Sequence, residues 1–292
     1  MREFKRLVGS KIGLVPLNWR FTDERKSEVV AKFAEYGFLG IQVSEKQANS
    51  SEYRNLFKQH SIAAAELYIA IKCDTESIAD NSDEETKRQI DAAKNAGVEM
   101  IVFAVDGDAI RDQIASNAHQ GPSLTPKALT ELAEHFNKWS KYCNSLGIRA
   151  SFHPHAATYI ETPEETAALF SQLDENVGLC LDVGHWLVGG GDPVAAVNEY
   201  KSRITHLHVK DVDPQVLANL KAGKYEGMDI AVTKDKLFAP AGTGALDLNG
   251  LFAALNQVGF RGWLMSEQDS AWEPSEEKSL ESYRNIERAL TT

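Results

Sequence analysis

Five of the eight histidines fall at or near the ends of three neighbouring late apolar runs: His153 and His155, then His185, then His206 and His208. Acidic side chains accompany them. Asp182 stands in Leu181-Asp182-Val183-Gly184-His185, Asp211 in His208-Val209-Lys210-Asp211, and Glu267 in Ser266-Glu267-Gln268-Asp269. Imidazole nitrogens and carboxylate oxygens are the donors of a divalent metal site that keeps coordination positions open for a substrate. The same groups hold or move protons near neutral pH. A closed structural metal site is not indicated, because Cys73, Cys143 and Cys180 are scattered and form no Cys-x-x-Cys pair. They read as buried, reduced thiols. His60, His119 and His135 lie in helix or loop contexts and join no such set.

Such a cluster needs a scaffold that brings distant strand ends together. Short apolar runs at residues 12–19, 40–44, 63–70, 100–105, 149–155, 178–183, 204–209 and 262–267 each precede an amphipathic stretch. That alternation is a β/α pattern. Leu129, Leu132, Phe136, Trp139, Cys143 and Leu146 mark one face of a helix that Thr125 caps and Pro126 begins. Thr162-Pro163-Glu164-Glu165 forms a capping box, and Asp192-Pro193 starts another helix. Gly37, Gly97, Gly147 and Gly259 sit where helices stop. Eight such units without a Pro/Ser-rich linker predict one α/β domain over residues 1–292, a (β/α)8 TIM barrel. A dinucleotide fold would carry Gly-x-Gly-x-x-Gly after the first strand, where Gly13-Leu14-Val15-Pro16-Leu17-Asn18-Trp19 stands instead. Gly189-Gly190-Gly191-Asp192 reads as a tight βα turn, since no Lys-Ser/Thr follows to hold phosphate. Residues 213–247, with one short helix, read as a lid over the barrel mouth, and residues 106–123 as a second one.

In a barrel the C-terminal strand ends converge on one mouth, so Asp182, His208 and Glu267 are expected to meet there. Composition narrows the partners. With 31 Lys+Arg against 42 Asp+Glu the net charge is −11, which disfavours a phosphate backbone and hence nucleic acid. No apolar run of about 18 residues offers a membrane span. The segment Met1-Arg2-Glu3-Phe4-Lys5-Arg6 lacks the apolar stretch of a signal peptide, so a cytoplasmic location is expected.

Leu-Asp-x-Gly-His, His-x-His-x-Lys-Asp and Gly-Trp-Leu-x-x-Glu-Gln-Asp together resemble the xylose-isomerase-like sugar isomerase/epimerase superfamily, and within it the inosose dehydratase-like members. Lys11-Ile12-Gly13-Leu14-Val15-Pro16-Leu17-Asn18-Trp19, Phe152-His153-Pro154-His155, residues 180–193 and Pro240-Ala241-Gly242-Thr243-Gly244 match in the same order. The resemblance implies that Asp182, His208 and Glu267 bind metal, with His153 at the fourth position, where epimerases carry a glutamate. Whether His153 or Glu161 completes the set stays open at this point. Manganese or cobalt is the implied metal, with zinc, iron or magnesium as alternatives.

The implied reaction is dehydration of a cyclic keto-polyol such as 2-keto-myo-inositol, in inositol catabolism, through a metal-stabilised enediolate. Glu267 or His155 would be the base and His185 the acid, with Lys210 and Asp211 on substrate hydroxyls and Trp19 and Trp186 on its ring. The imidazole at His153 disfavours the alternative, a ketose isomerase or epimerase that pairs two metal-bound glutamates. A damaged-DNA endonuclease would need more metal ligands and a basic groove. A non-catalytic sugar-binding barrel would not require the Asp182/His208/Glu267 set. Barrels of this kind often form homo-oligomers.

Overall fold

The computed structural model describes residues 4–292, so Met1, Arg2 and Glu3 of the charged N-terminal run, and the first positions of the expected domain, lie outside the described residues. Eight parallel strands close a barrel: β1 (Lys11–Leu14), β2 (Gly40–Gln42), β3 (Ala63–Ile71), β4 (Met100–Val105), β5 (Arg149–Phe152), β6 (Val177–Asp182), β7 (Ile204–Val209) and β10 (Trp263–Ser266). Each expected apolar run supplies one of them. Between β7 and β10 lie two short strands, β8 (Asp211–Val212) and β9 (Phe238–Ala239), paired antiparallel outside the barrel.

Some strands stop earlier than the apolar runs do, and proline explains two of the stops. β1 ends at Leu14, and Pro16 has no N–H to extend a ladder. β5 ends at Phe152; the His153 N–H still donates to Phe103 O at 2.7 Å, and Pro154 then has no donor. Breaking the ladder there frees His153 and His155 to turn across the mouth.

Strand alternation divides the core in two. Leu207 and Val209 of β7, Leu179 and Leu181 of β6, and Ile101, Phe103 and Val105 of β4 pack in the apolar layer under the helices. The alternate positions point into the barrel. There Trp263 and Met265 fill one end beside Val15 and Ala65. Gly13 and Gly40 leave them room: a Cβ at Gly13 would stand 2.4 Å from Met265 Sδ, and one at Gly40 2.6 Å from the Trp263 ring. With that end plugged, Asp182 of β6, His208 of β7 and Glu267 just after β10 gather toward the C-terminal ends.

The helix signals behave as the sequence suggests. Thr125 accepts from Ala128 N, Thr162 and Glu165 close a reciprocal capping box, and Asp192 accepts from Val194 N and Ala195 N. The Gly189–Gly191 turn differs from expectation in what precedes it, because the short helix Val183–Val188 comes between it and β6. It is tight because a Cβ at Gly189 would meet Glu161 O at 2.4 Å.

Residues 213–247 are more ordered than one short helix implies. Two helices, Pro214–Lys221 and Met228–Asp235, are held by the β8–β9 ribbon. Val216, Leu217, Leu220, Met228, Ala231 and Phe238 form a second apolar cluster, separate from the main core. The excursion over residues 106–123 joins it: Asp112 accepts from Asp229 N at 2.9 Å, and Asn117 donates to Lys221 O at 3.3 Å. Arg111 anchors this excursion from a fully buried position, pairing its two terminal guanidinium nitrogens with Glu165 at 2.8 and 2.9 Å. Glu165 Oε2 also accepts from Glu161 N and Thr162 N. Arg111→Met should therefore lower stability by about 3 kcal/mol, toward the lower end for a broken buried pair because those backbone donors remain on Glu165. Urea unfolding of variant and parent measures it, and a change under about 1 kcal/mol would contradict the anchor role. No helix among the described residues is long and apolar enough to cross a membrane.

Candidate metal centre

Four side chains from four different strand ends converge. His153 follows β5, Asp182 ends β6, His208 lies in β7 and Glu267 follows β10, all buried. One ligand atom from each lies within 4.8 Å of the other three. Donors about 2.1 Å from a shared ion stand about 3 to 4.2 Å apart, so a small inward adjustment would let all four reach one cation. His153 Nε2 is 3.3 Å from Asp182 Oδ2, and His208 Nδ1 is 2.6 Å from Glu267 Oε2 and 3.7 Å from Asp182 Oδ2. Asp182 also works through its other oxygen, since Oδ1 accepts from His185 N at 2.8 Å and caps the helix Val183–Val188.

Glu161 does not reach this group. Its two oxygens accept from Ser116 N and Ala157 N, each at 2.8 Å, so it fastens the neighbouring loop instead. Between the two candidates for the fourth position, the geometry brings in His153. Cys180 with His153 and His208 is a second donor group. Burial pushes its thiol up to about 12, which keeps it protonated and a poor ligand.

Lys210 sits among these donors, fully buried, with Nζ 3.0 Å from Asp182 Oδ2, 3.1 Å from Glu267 Oε1 and 2.5 Å from Asp269 Oδ2. Burial opposes its charge, but Asp182, Asp269 and Glu267 outweigh that and hold the ammonium well above its usual range. Burial likewise raises Asp269, to about 7, against the pull of Lys210. In the sequence Asp269 only closes the Gly-Trp-Leu-x-x-Glu-Gln-Asp motif, with nothing to mark it as a site residue. Its place beside Lys210, 3.8 Å from His185 Nε2, puts it in the centre.

His155 and His185 stack with ring centroids 3.6 Å apart, and Phe238 of β9 lies 5.1 Å from the His185 ring. Burial, with His153 beside it, lowers His155 to about 4. Burial, reinforced by His155 and Lys210, holds His185 well below the usual imidazole range. Both rings are therefore neutral near pH 7.

Three residues expected on substrate are engaged elsewhere. The Asp211 carboxylate accepts from Val212 N, Gly244 N and Leu246 N, each at 2.8 Å, and so secures the loop after Pro240. Trp19 packs on Phe33 and Tyr36 and donates from its indole nitrogen to Ser279 Oγ at 2.9 Å, in the helix layer. Trp186 stands edge-on to Tyr200 and closes over Gly191, where a Cβ would come within 2.2 Å of its Nε1.

One contributor carries no clear sequence signal. Glu66 of β3 is completely buried, and its Oε2 is hydrogen-bonded to Nε2 of both His206 and His208, the latter at 3.0 Å. Burial would raise this carboxyl, but the two imidazoles hold it below the usual carboxylate range. A charged residue within Ala-Ala-Ala-Glu-Leu-Tyr-Ile-Ala-Ile is the one hint the chain offers.

A family model described as xylose isomerase-like TIM barrel matches residues 30–288. An inosose dehydratase of Clostridium beijerinckii is 26% identical over 276 residues, covering 89% of this chain and 91% of the relative. Among solved structures, a D-allulose 3-epimerase from Methylomonas sp. in complex with D-allulose is 16% identical with a TM-score of 0.72, covering 98% of both chains. A protein called IOLI, solved with a bound zinc atom, is 16% identical with a TM-score of 0.67, covering 96% of both chains. Likeness at that identity is likeness of fold.

Proposed function

The chain belongs to the xylose isomerase-like TIM barrel family, and on that premise we propose that it is a metal-dependent carbon–oxygen lyase dehydrating a cyclic keto-polyol such as 2-keto-myo-inositol. The observation that carries this reading is the donor set at the barrel mouth: His153, Asp182, His208 and Glu267, with ligand atoms within 4.8 Å of one another. Two imidazoles and two carboxylates suit manganese, cobalt, zinc or iron better than calcium, and manganese or cobalt is the proposed occupant. The inosose dehydratase relative, aligned over 89% of this chain, supports the substrate class.

A divalent ion held there would supply Lewis acidity to a ketone oxygen and a neighbouring hydroxyl, making the adjacent C–H acidic. The protein's own groups then have separable roles. Glu267 is already close to His208 and Lys210, so it is better placed as a metal holder than as a free base. His185 and His155 are neutral and face each other beside the metal donors, which suits them to accept a proton. Lys210, with three carboxylates around it, offsets negative charge and orients Asp182, Glu267 and Asp269. The paired excursions over residues 106–123 and 213–247 act as a lid, with Phe238 bringing an apolar surface against His185.

Epimerisation would carry a proton between two faces of one carbon and call for a base on each. The imidazole of His153 at the end of β5 favours elimination instead. The test is an ultraviolet assay with 2-keto-myo-inositol on chelator-stripped protein, repeated after manganese or cobalt is added. A diketone signal restored by metal is expected. Stoichiometric metal without that signal would move the assignment to a keto-sugar isomerase, and failure to bind metal would favour a sugar-binding barrel.

A further inference from the structure

Glu66 lies on β3, across the barrel interior from His208 on β7, and is completely buried. Its register partner on β4 is Met100, which forms a buried apolar group with Val102 and Cys180, with Tyr68 packed against that group. A carboxylate in such surroundings needs a reason to be there. Resting on the metal reading above, we propose that Glu66 is the positioning residue that fixes the ring orientation of His208 and aims its Nδ1 at the metal.

The geometry gives each nitrogen its own role. A carboxylate only accepts, so the 3.0 Å contact between Glu66 Oε2 and His208 Nε2 places a proton on Nε2. The opposite nitrogen, Nδ1, is the one directed at Glu267 Oε2 and Asp182 Oδ2, at 2.6 and 3.7 Å. Binding a cation through Nδ1 displaces any proton there and leaves the Nε2–H requiring an acceptor, which Glu66 provides. A carboxylate behind a ligating imidazole both orients the ring and makes its free nitrogen a stronger donor. His206, on the same face of β7, donates from Nε2 to the same Glu66 oxygen and helps hold the carboxylate in place.

An ordinary buried ion pair would stabilise the fold and leave the metal affinity of the folded protein unchanged. Positioning predicts otherwise. Glu66→Gln keeps size and an acceptor oxygen but removes the charge, and Glu66→Leu removes the acceptor as well. Cobalt and manganese affinities of the stripped, full-length protein are to be measured by competition with a chelating dye, with circular dichroism confirming the fold. Affinity should fall about 10-fold in Glu66→Gln and about 100-fold in Glu66→Leu, the range found when such supporting groups are lost. The visible cobalt spectrum should shift as the His208 ring loses its orientation. If Glu66→Leu does not fold, Glu66→Gln still decides.

Affinities within twofold of a metal-binding parent, with an unchanged cobalt spectrum, would overturn the positioning role and leave the metal reading intact. A parent that binds two cobalt ions, one of them lost in Glu66→Gln, would make Glu66 a ligand and overturn the proposal. A parent that binds neither metal would remove the premise along with the inference.

Discussion

Glu267→Gln is expected to lower kcat/KM for keto-polyol dehydration by about 10³-fold and to weaken metal binding, while the barrel stays folded. Glu267 is one of two carboxylates among the four converging donors, and it is 7% exposed. The amide has nearly the same shape, so little packing changes. What disappears is a charge beside both His208 Nδ1 and Lys210 Nζ. A metal acting as Lewis acid contributes several kcal/mol to the transition state, and each 1.36 kcal/mol is about tenfold in rate. Steady-state kinetics at saturating manganese, paired with metal analysis, make the measurement. Activity within tenfold of the parent at full metal loading would remove Glu267 from the donor set.

The elements that carry this site are legible in the sequence because each barrel strand is an apolar run bounded by a capped helix, and local chemistry marks both. Thr125-Pro126, Thr162 to Glu165 and Asp192-Pro193 act within a few residues, and the structure uses all three as caps. The donors at the mouth are legible for a related reason. A polar side chain at the end of an apolar strand has few structural explanations, and Asp182, His208 and Glu267 all stand in that position.

What stays hidden depends on long-range partners. Glu66 meets His206 and His208, 140 and 142 residues later, and only closure of the barrel creates that contact. Asp211 looks like a site residue because it adjoins Lys210, yet its side chain turns to three backbone donors. Alternation alone could separate them, since neighbours along an extended chain point opposite ways. Trp19 is misplaced by its sequence for want of a partner in view: the hydroxyl that accepts its N–H, Ser279, lies 260 residues on. The two helices within residues 213–247 are obscure because their apolar cluster also draws on Ala115, Ala156 and Val188 from other segments of the chain. Neither helix has a complete apolar partner face nearby in sequence.

His185→Ala should reduce kcat by about 10²- to 10⁴-fold, the contribution of a positioned proton-transfer group, with metal stoichiometry unchanged. The backbone N–H of His185, and not its ring, meets Asp182, so the helix cap survives the substitution. The ring itself is buried, and neither nitrogen makes a hydrogen bond among the described residues. Such a group is costly to leave unpaired unless a ligand supplies the partner. Its pKa lies well below the ordinary value because burial, His155 and Lys210 all oppose the charge. The imidazole is accordingly neutral at pH 7 and must take a proton before it can give one. That order suits removal of the acidified hydrogen by His185, whose imidazolium exchanges its proton with solvent and then protonates the departing hydroxyl on the same face. Exchange of the substrate α-hydrogen with deuterated solvent provides a second readout: it should slow with kcat in His185→Ala while bound metal remains at the parent level. An unchanged dehydration rate with metal fully bound would take His185 out of the mechanism. Exchange retained with dehydration lost would limit it to protonating the leaving group, with the neighbouring His155 as the base.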